Sequence, residues 1–404
     1  MGNQSSKKMI PKLFSEEERI QIVISYWIRM FNIKLGWIND FDKLVVNYLL
    51  CLTSFFQYLN HTQFSTDTTI LLGIDYAIFD DIQFICSGSQ DTKVSVWNID
   101  KNRQIQVFEK HSGCVNCVKF SSYHYHNNHR SVICSSSQDK TIRFWDFKDN
   151  QELQLFNGHI GGVSGIEFSS FNGCRYLCSG SFDTTIRLWD VETSKSLHVF
   201  NGHTNAVWCV DFSPLQSNYY NDDNKSNKIG LIGGNGYNIC SGSGDKTIRT
   251  WDIETAKQLT VFKGHSDFIG RVKYGSNGLG IIGGVNTILS GSGDKSVRLW
   301  DTRSGQQIQV FKGHISQIWS VEYLPFAIKN SEVAGPGVIC SGSMDNTIRF
   351  WDIRSNKNEL YIRKGDSGIL CLKYIQLKKK GDDKLDCDIN LCYGSYRGSI
   401  HIWG

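Results

Sequence analysis

Short runs in which apolar and polar residues alternate recur along most of the chain. In Thr247-Ile248-Arg249-Thr250-Trp251 the period is two, as expected of a strand with one buried face. A second kind of run follows each of five histidines: apolar residues fall four, seven and nine positions later, as Val207, Val210 and Phe212 do after His203. Tight polar turns such as Ser243-Gly244-Asp245-Lys246 separate the runs. Their residues tolerate the backbone angles a reversal needs. The pattern predicts successive short antiparallel strands over residues 60–404. The N-terminal stretch differs. Ser15 followed by Glu16, Glu17 and Glu18 reads as a helix start, and Ile20, Val23, Ile24, Trp27 and Phe31 follow at helical spacing. A second helix is expected from Phe41 to Leu52, making residues 15–59 a helical hairpin after a flexible segment, 1–14.

The strand pattern is a repeat. Its tryptophan recurs at Trp97, Trp145, Trp189, Trp251, Trp300, Trp351 and Trp403. Six positions before each stands an acid (Asp91, Asp139, Asp183, Asp245, Asp294, Asp345), except for Arg397 in the last. Gly-His opens four repeats, at His159, His203, His265 and His314, and Lys110-His111 opens another. Trp-Asp stands at 145–146, 189–190, 251–252, 300–301 and 351–352. Over residues 60–404 the chain resembles the WD-repeat family, exemplified by the G-protein β subunit. The resemblance implies four antiparallel strands per repeat and an all-β, seven-bladed propeller. The residues agree: no single repeat can bury both its faces, so the blades must stack. Because the chain stops just after the third strand of repeat seven, the missing outer strand is expected at 60–66. Phe64 stands three before Asp67, as Phe108 stands three before His111. The seam repeats are irregular, with Asp67 and Asp366 in place of His and Tyr393 in place of Ser; weak local packing is expected there.

Composition sharpens this little. Thirty-eight glycines against four prolines suit many turns, and a net charge of +4 gives no argument for nucleic acid. The first residues lack an apolar leader, and the apolar run 44–59 is too short for a membrane span. With thirteen cysteines, an odd number, the expected setting is reducing and cytoplasmic, with free thiols.

Ser, His and Asp recur together as Ser135/His111/Asp139, Ser179/His159/Asp183, Ser241/His203/Asp245, Ser290/His265/Asp294 and Ser341/His314/Asp345. One copy would invite a catalytic triad; five copies, one per blade, argue for a structural unit. The family resemblance implies hydrogen-bonded tetrads that include Trp145, Trp189, Trp251, Trp300 and Trp351. No serine sits in a G-x-S-x-G elbow, and no unrepeated polar cluster appears, so an enzyme is not expected. Cys86, Cys134, Cys178, Cys240, Cys340 and Cys392 share one repeat position on six blades, and Cys117 aligns with Cys209 and Cys371. Small core residues are expected rather than a metal or redox site. His124, His126 and His129 are assigned to a solvated loop, and Arg143, Arg187, Arg249, Arg298 and Arg349 to structural positions two before each Trp. No metal or cofactor is expected.

Partners are expected on the propeller faces. By the family resemblance, the residue just before each turn Asp contacts ligands: Gln90, Gln138, Phe182, Met344 and Tyr396 are the candidates here, the last three being large apolar groups at turn tips. Trp208 and Trp319 share an inner-strand register and are assigned to the core. Long insertions at 121–131, 213–238, 275–287, 324–337 and 376–390 share the opposite face. Met1-Gly2-Asn3-Gln4-Ser5-Ser6 matches the N-myristoylation pattern, with Gly2 as acceptor. One myristoyl chain binds membranes marginally, so a reversible peripheral contact is expected. The function expected is a non-catalytic protein-interaction scaffold, membrane-tethered through Gly2. The other reading, from a faint likeness of residues 15–59 to an F-box, is a substrate receptor of a ubiquitin ligase.

Overall fold

Among the described residues twenty-eight short strands form seven four-stranded antiparallel sheets, six of them simple meanders and the seventh completed by a strand from the N-terminal side, so the chain is a seven-bladed β-propeller. The computed structural model describes residues 61–65, 70–214, 238–275, 286–324, 337–353, 359–378 and 387–403. Gly2, the expected hairpin over 15–59, Asp67 and most of the 213–238 insertion lie outside the described residues. Blade one spans 71–108, and blades two to six span 115–156, 163–200, 207–263, 269–312 and 318–364. Blade seven takes its three inner strands from 369–403 and its outer strand from His61–Ser65. That strand runs antiparallel to Ser399–Trp403, with His61 opposite Trp403 and Ser65 opposite Ser399.

Aromatic packing joins each blade to the next. The phenylalanine near the end of an outer strand lies against the tryptophan of the following blade: Phe108 on Trp145 at 4.8 Å, Phe156 on Trp189 at 5.3 Å and Phe311 on Trp351 at 5.7 Å between ring centres. The closing strand obeys the same rule, with Phe64 buried 5.7 Å from Trp97. Glycines set how closely the parts approach. A Cβ on Gly202, of the Gly-His pair, would stand 2.9 Å from Trp251 and 3.0 Å from Arg249. One on Gly242 would stand 2.6 Å from Ile269 of the next blade.

Two expectations are corrected here. Residues 122–128 form a short α-helix rather than a solvated loop, and His124 is buried on it, within 2.8 Å of Ser121 Oγ. Burial, together with Arg130, pushes the His124 imidazole down to about 4. Nor is the seam loosely packed. Within blade seven Tyr393 stacks on His401 at 4.7 Å and 16°, and Tyr361 of blade six stacks on Trp403 at 6.0 Å and 10°. Tyr393, His401 and Trp403 are each at most 3% exposed, so aromatic packing surrounds the position of Tyr393, where blades two to six have the tetrad serine.

Candidate functional site

The tetrads lie where the turn between the second and third strands meets the loop entering the blade. In blade two His111 Nδ1 lies 2.7 Å from Asp139 Oδ2, and Nε2 lies 2.8 Å from Ser135 Oγ. The Trp145 indole N–H donates to that Oγ at 2.7 Å. His159, Ser179, Asp183 and Trp189 repeat the arrangement in blade three at 2.8 Å throughout. His203, Ser241, Asp245 and Trp251 do so in blade four at 2.7 to 2.8 Å. The sets His265, Ser290, Asp294, Trp300 and His314, Ser341, Asp345, Trp351 complete the series at 2.7 to 2.9 Å. The five serines have no exposed surface, and each already meets an imidazole and an indole. A hydroxyl so placed satisfies buried polar groups and cannot be reached by a substrate.

Each aspartate is the hub, and it binds more than the tetrad. The hydroxyls of Thr141, Thr185, Thr247, Ser296 and Thr347, two residues on, donate to it at 2.5 to 2.6 Å. The N–H after each histidine donates at 3.0 to 3.2 Å. Burial pushes these carboxyls up, but the bonds from His and from Thr or Ser outweigh it and hold all five well below the usual range. Burial pushes His203 and His265 below the ordinary imidazole value, with the paired carboxylate opposing only in part. Both effects make acid destabilising. The aspartates' contribution is complete above about pH 4 and disappears as acid titrates their folded forms; the unfolded chain begins to bind protons at those two histidines below about pH 6.5. Asp245→Ala strands His203, Thr204 N–H and Thr247, and is expected to cost about 1–3 kcal/mol in urea unfolding. An unshifted midpoint would remove the tetrad from the stability argument.

The same face displays the turn tips. The N–H groups of Gln138, Phe182, Met344 and Tyr396 donate to carbonyls of the adjoining loop at 2.8 to 2.9 Å, and that of Gln90 at 3.0 Å. The backbone is thereby pinned and the side chain projects from the blade. Gln90 and Gln138 are exposed, Tyr396 is 46% exposed, and Phe182 and Met344 are half-buried. Phe182 packs on Trp208 at 5.0 Å, which begins an arc across four blades. Trp208 lies 5.9 Å from Phe268 and 5.6 Å from Trp319, and Phe268 lies 5.0 Å from Trp319.

Trp208 and Trp319 are therefore not core residues, contrary to the sequence expectation. Each is the extra residue of a β-bulge: pairing passes from Val207 to Cys209 and from Ile318 to Ser320. A bulge turns its side chain away from the sheet face it would otherwise share. Phe268 was not foreseen. Its signal is Gly293 in the turn-tip position, where a Cβ would stand 2.5 Å from the Phe268 ring. Ile160 and Ile315 flank the arc at 80% and 75% exposure. They follow His159 and His314, where blades two, four and five place Ser112, Thr204 and Ser266.

The model of the WD domain, G-beta repeat, matches residues 102–146, 150–190, 194–252, 256–301 and 305–352, more than half of the chain. The chain belongs to the WD40-repeat family. Each matched stretch runs from the outer strand of one blade through three strands of the next, so sequence repeats and blades are out of phase by one strand. No curated protein matches the chain significantly.

The WD40 register also brings together charges that were not singled out from the sequence. Asp75, Lys119, Glu167, Asp211, Lys273, Glu322 and Lys373 occupy one position on the seven innermost strands. Lys119 meets Glu167 at 2.7 Å and Lys373 meets Asp75 at 3.0 Å. Lys273 lies 3.5 Å from Glu167, 3.7 Å from Asp211 and 3.8 Å from Glu322. Glu167 belongs to blade three and Lys273 to blade five, so these side chains reach across the axis. Burial opposes the charge on Lys273, but the three carboxylates outweigh it and hold the amine well above its ordinary value. At Asp211 burial wins and the carboxyl is raised. A charged residue at one offset, eight after each of the five histidines, was the available signal.

The described cysteines are all free; Cys86, Cys134, Cys178, Cys240, Cys340 and Cys392 are buried opposite the charged register, except that blade five has Leu289 there. Arg143 pairs with Glu152 on the neighbouring outer strand at 2.7 Å, and Arg349 with Glu359, just before the outer strand of blade six, at 3.0 Å.

Proposed function

We propose that this WD40-repeat propeller is a non-catalytic platform that holds other proteins on its tetrad face. The observation that carries the reading is the arc of Phe182, Trp208, Phe268 and Trp319, bounded by the exposed Ile160 and Ile315. Clustered apolar side chains facing water mark interaction surfaces, and aromatic anchors concentrate binding energy. The buried, fully engaged tetrad serines support the non-catalytic part. Met344 and Tyr396 extend the apolar surface; Gln90 and Gln138 supply polar contacts on blades one and two. We further propose Gly2 as a myristoylation site giving a reversible peripheral membrane contact from the cytoplasm. The sequence pattern at residues 1–6 supports it, and Lys7 and Lys8 add attraction to anionic lipid.

Proximity labelling in cells tests the platform. An Ile315→Ser/Trp319→Ala protein is expected to lose a defined set of labelled neighbours, and Gly2→Ala to lose membrane-associated ones. An unchanged set in the face variant would defeat the reading, and an intact mass without the acyl group would defeat the tether. An Skp-type adaptor captured only when residues 15–59 are present would favour the ubiquitin-ligase receptor instead.

A further inference from the structure

We infer that the occupant of the tetrad face is an acidic peptide segment of another protein, anchored by aromatic or large aliphatic side chains on blades three to six. The inference rests on the platform reading above and adds the partner's chemistry. Charge is the ground for it. Lys246 and Lys295 stand in the turns of blades four and five, and Lys263, Lys312 and Lys364 end the outer strands of blades four, five and six. All five are exposed. The aspartates nearest them, Asp245, Asp294 and Asp345, are already spent on imidazoles, hydroxyls and backbone N–H groups. Asp267, half-buried beside Phe268, accepts the Phe268 N–H at 2.8 Å, and the five exposed lysines outnumber it around the arc. The opposite face is mixed: Asp80, Asp81, Asp100, Asp149, Glu192 and Glu254 are exposed in its turns beside Lys101, Lys148, Lys195, Lys257 and Arg303, and Asp80 pairs with Lys148 and Glu192 with Arg175. The excess of lysines on the tetrad face draws a negatively charged partner there.

The arc decides between kinds of anionic partner. Its rings meet each other at interplanar angles of 44° to 81°. They do not offer the series of open parallel faces on which nucleic-acid bases stack. Each is half-buried against its neighbours, so none is a free tip for insertion into lipid. What they form is a fixed apolar surface between the flanking isoleucines, suited to side chains inserted from above. Acidic residues on either side of those anchors would then lie over the lysines.

A randomised peptide library selected on the full-length protein tests this directly. The expected winners carry a net negative charge and at least one aromatic or large aliphatic residue. Their affinity should fall about tenfold in Lys263→Glu/Lys312→Glu, as expected for two reversed charges at an interface rim. It should fall at least as far in Trp319→Ala and stay unchanged in Lys257→Glu on the opposite face. Raising salt from about 50 to about 500 mM should weaken the parent protein's binding more than that of the double lysine variant. Winners that are neutral or basic yet lost in Trp319→Ala would overturn the acidic class and leave the platform standing. Winners indifferent to every tetrad-face variant, or no enrichment at all, would overturn both. Binding of phosphatidylserine vesicles or single-stranded DNA that is lost in the same variants, without enriched peptides, would assign the surface to lipid or nucleic acid and overturn the inference.

Discussion

A chain that begins at residue 70 is expected to lose the cooperative unfolding of the full chain and to associate through an open strand edge. Residues His61–Ser65 are the outer strand of blade seven and the only partner of Ser399–Trp403 on that side. Their removal bares the N–H and C=O groups of that strand, which invite pairing with another chain. Phe64 is lost with them, and Trp97 loses the aromatic neighbour that Phe108 supplies to Trp145. The two causes can be separated. Phe64→Ala keeps the backbone pairing and removes one buried ring, 3% exposed, for an expected cost of about 3–5 kcal/mol. Urea unfolding and sedimentation read both effects. If the shortened chain unfolds at the midpoint of the full one and stays monomeric, closure by this strand contributes nothing.

The second large effect lies on the axis. Lys273→Met removes a cation that lies 3.5 to 3.8 Å from Glu167, Asp211 and Glu322. Leaving buried charges without their partner costs about 3–5 kcal/mol, and that order of loss is expected at pH 7. The pH dependence identifies the cause. Burial already raises the Asp211 carboxyl, and the variant removes the cation that opposes this, so its folded form binds more protons than the unfolded chain and gains stability as pH falls. The gap between the two proteins should narrow from pH 7 to pH 5. Asp211→Asn added to Lys273→Met should recover part of the loss, because Glu167 keeps Lys119 as a partner. A gap that stays constant with pH would mean that lost packing of the lysine stem, not charge, is responsible.

Much of this was legible because the chain states it several times. A lone Ser179, His159 and Asp183 would have been ambiguous, whereas five copies, each with Ser and Asp four apart, assign the trio to five successive blades and hence to structure. Phe64 could be matched to Phe108 by its offset alone. The charged register was equally legible and was passed over, because its residue types change sign from blade to blade. Tyr393 illustrates the converse. As a departure from a polar pattern it reads as weakness, yet its ring stacks on His401 and fills the space.

The sequence by itself determined the repeat, the number of blades, the all-β class and the residues of each tetrad. These follow from local periodicity, which every blade must satisfy alike. Only the tertiary structure decided what faces out. Trp208 and Trp319 lie in strands of apolar register, and a bulge set by pairing with a second strand turns them to the surface. Phe268 joins them because Gly293, 25 residues away, leaves it room. Lys273 meets Glu167 only because the blades close around an axis. Such contacts join residues remote in sequence, where no local period can register them.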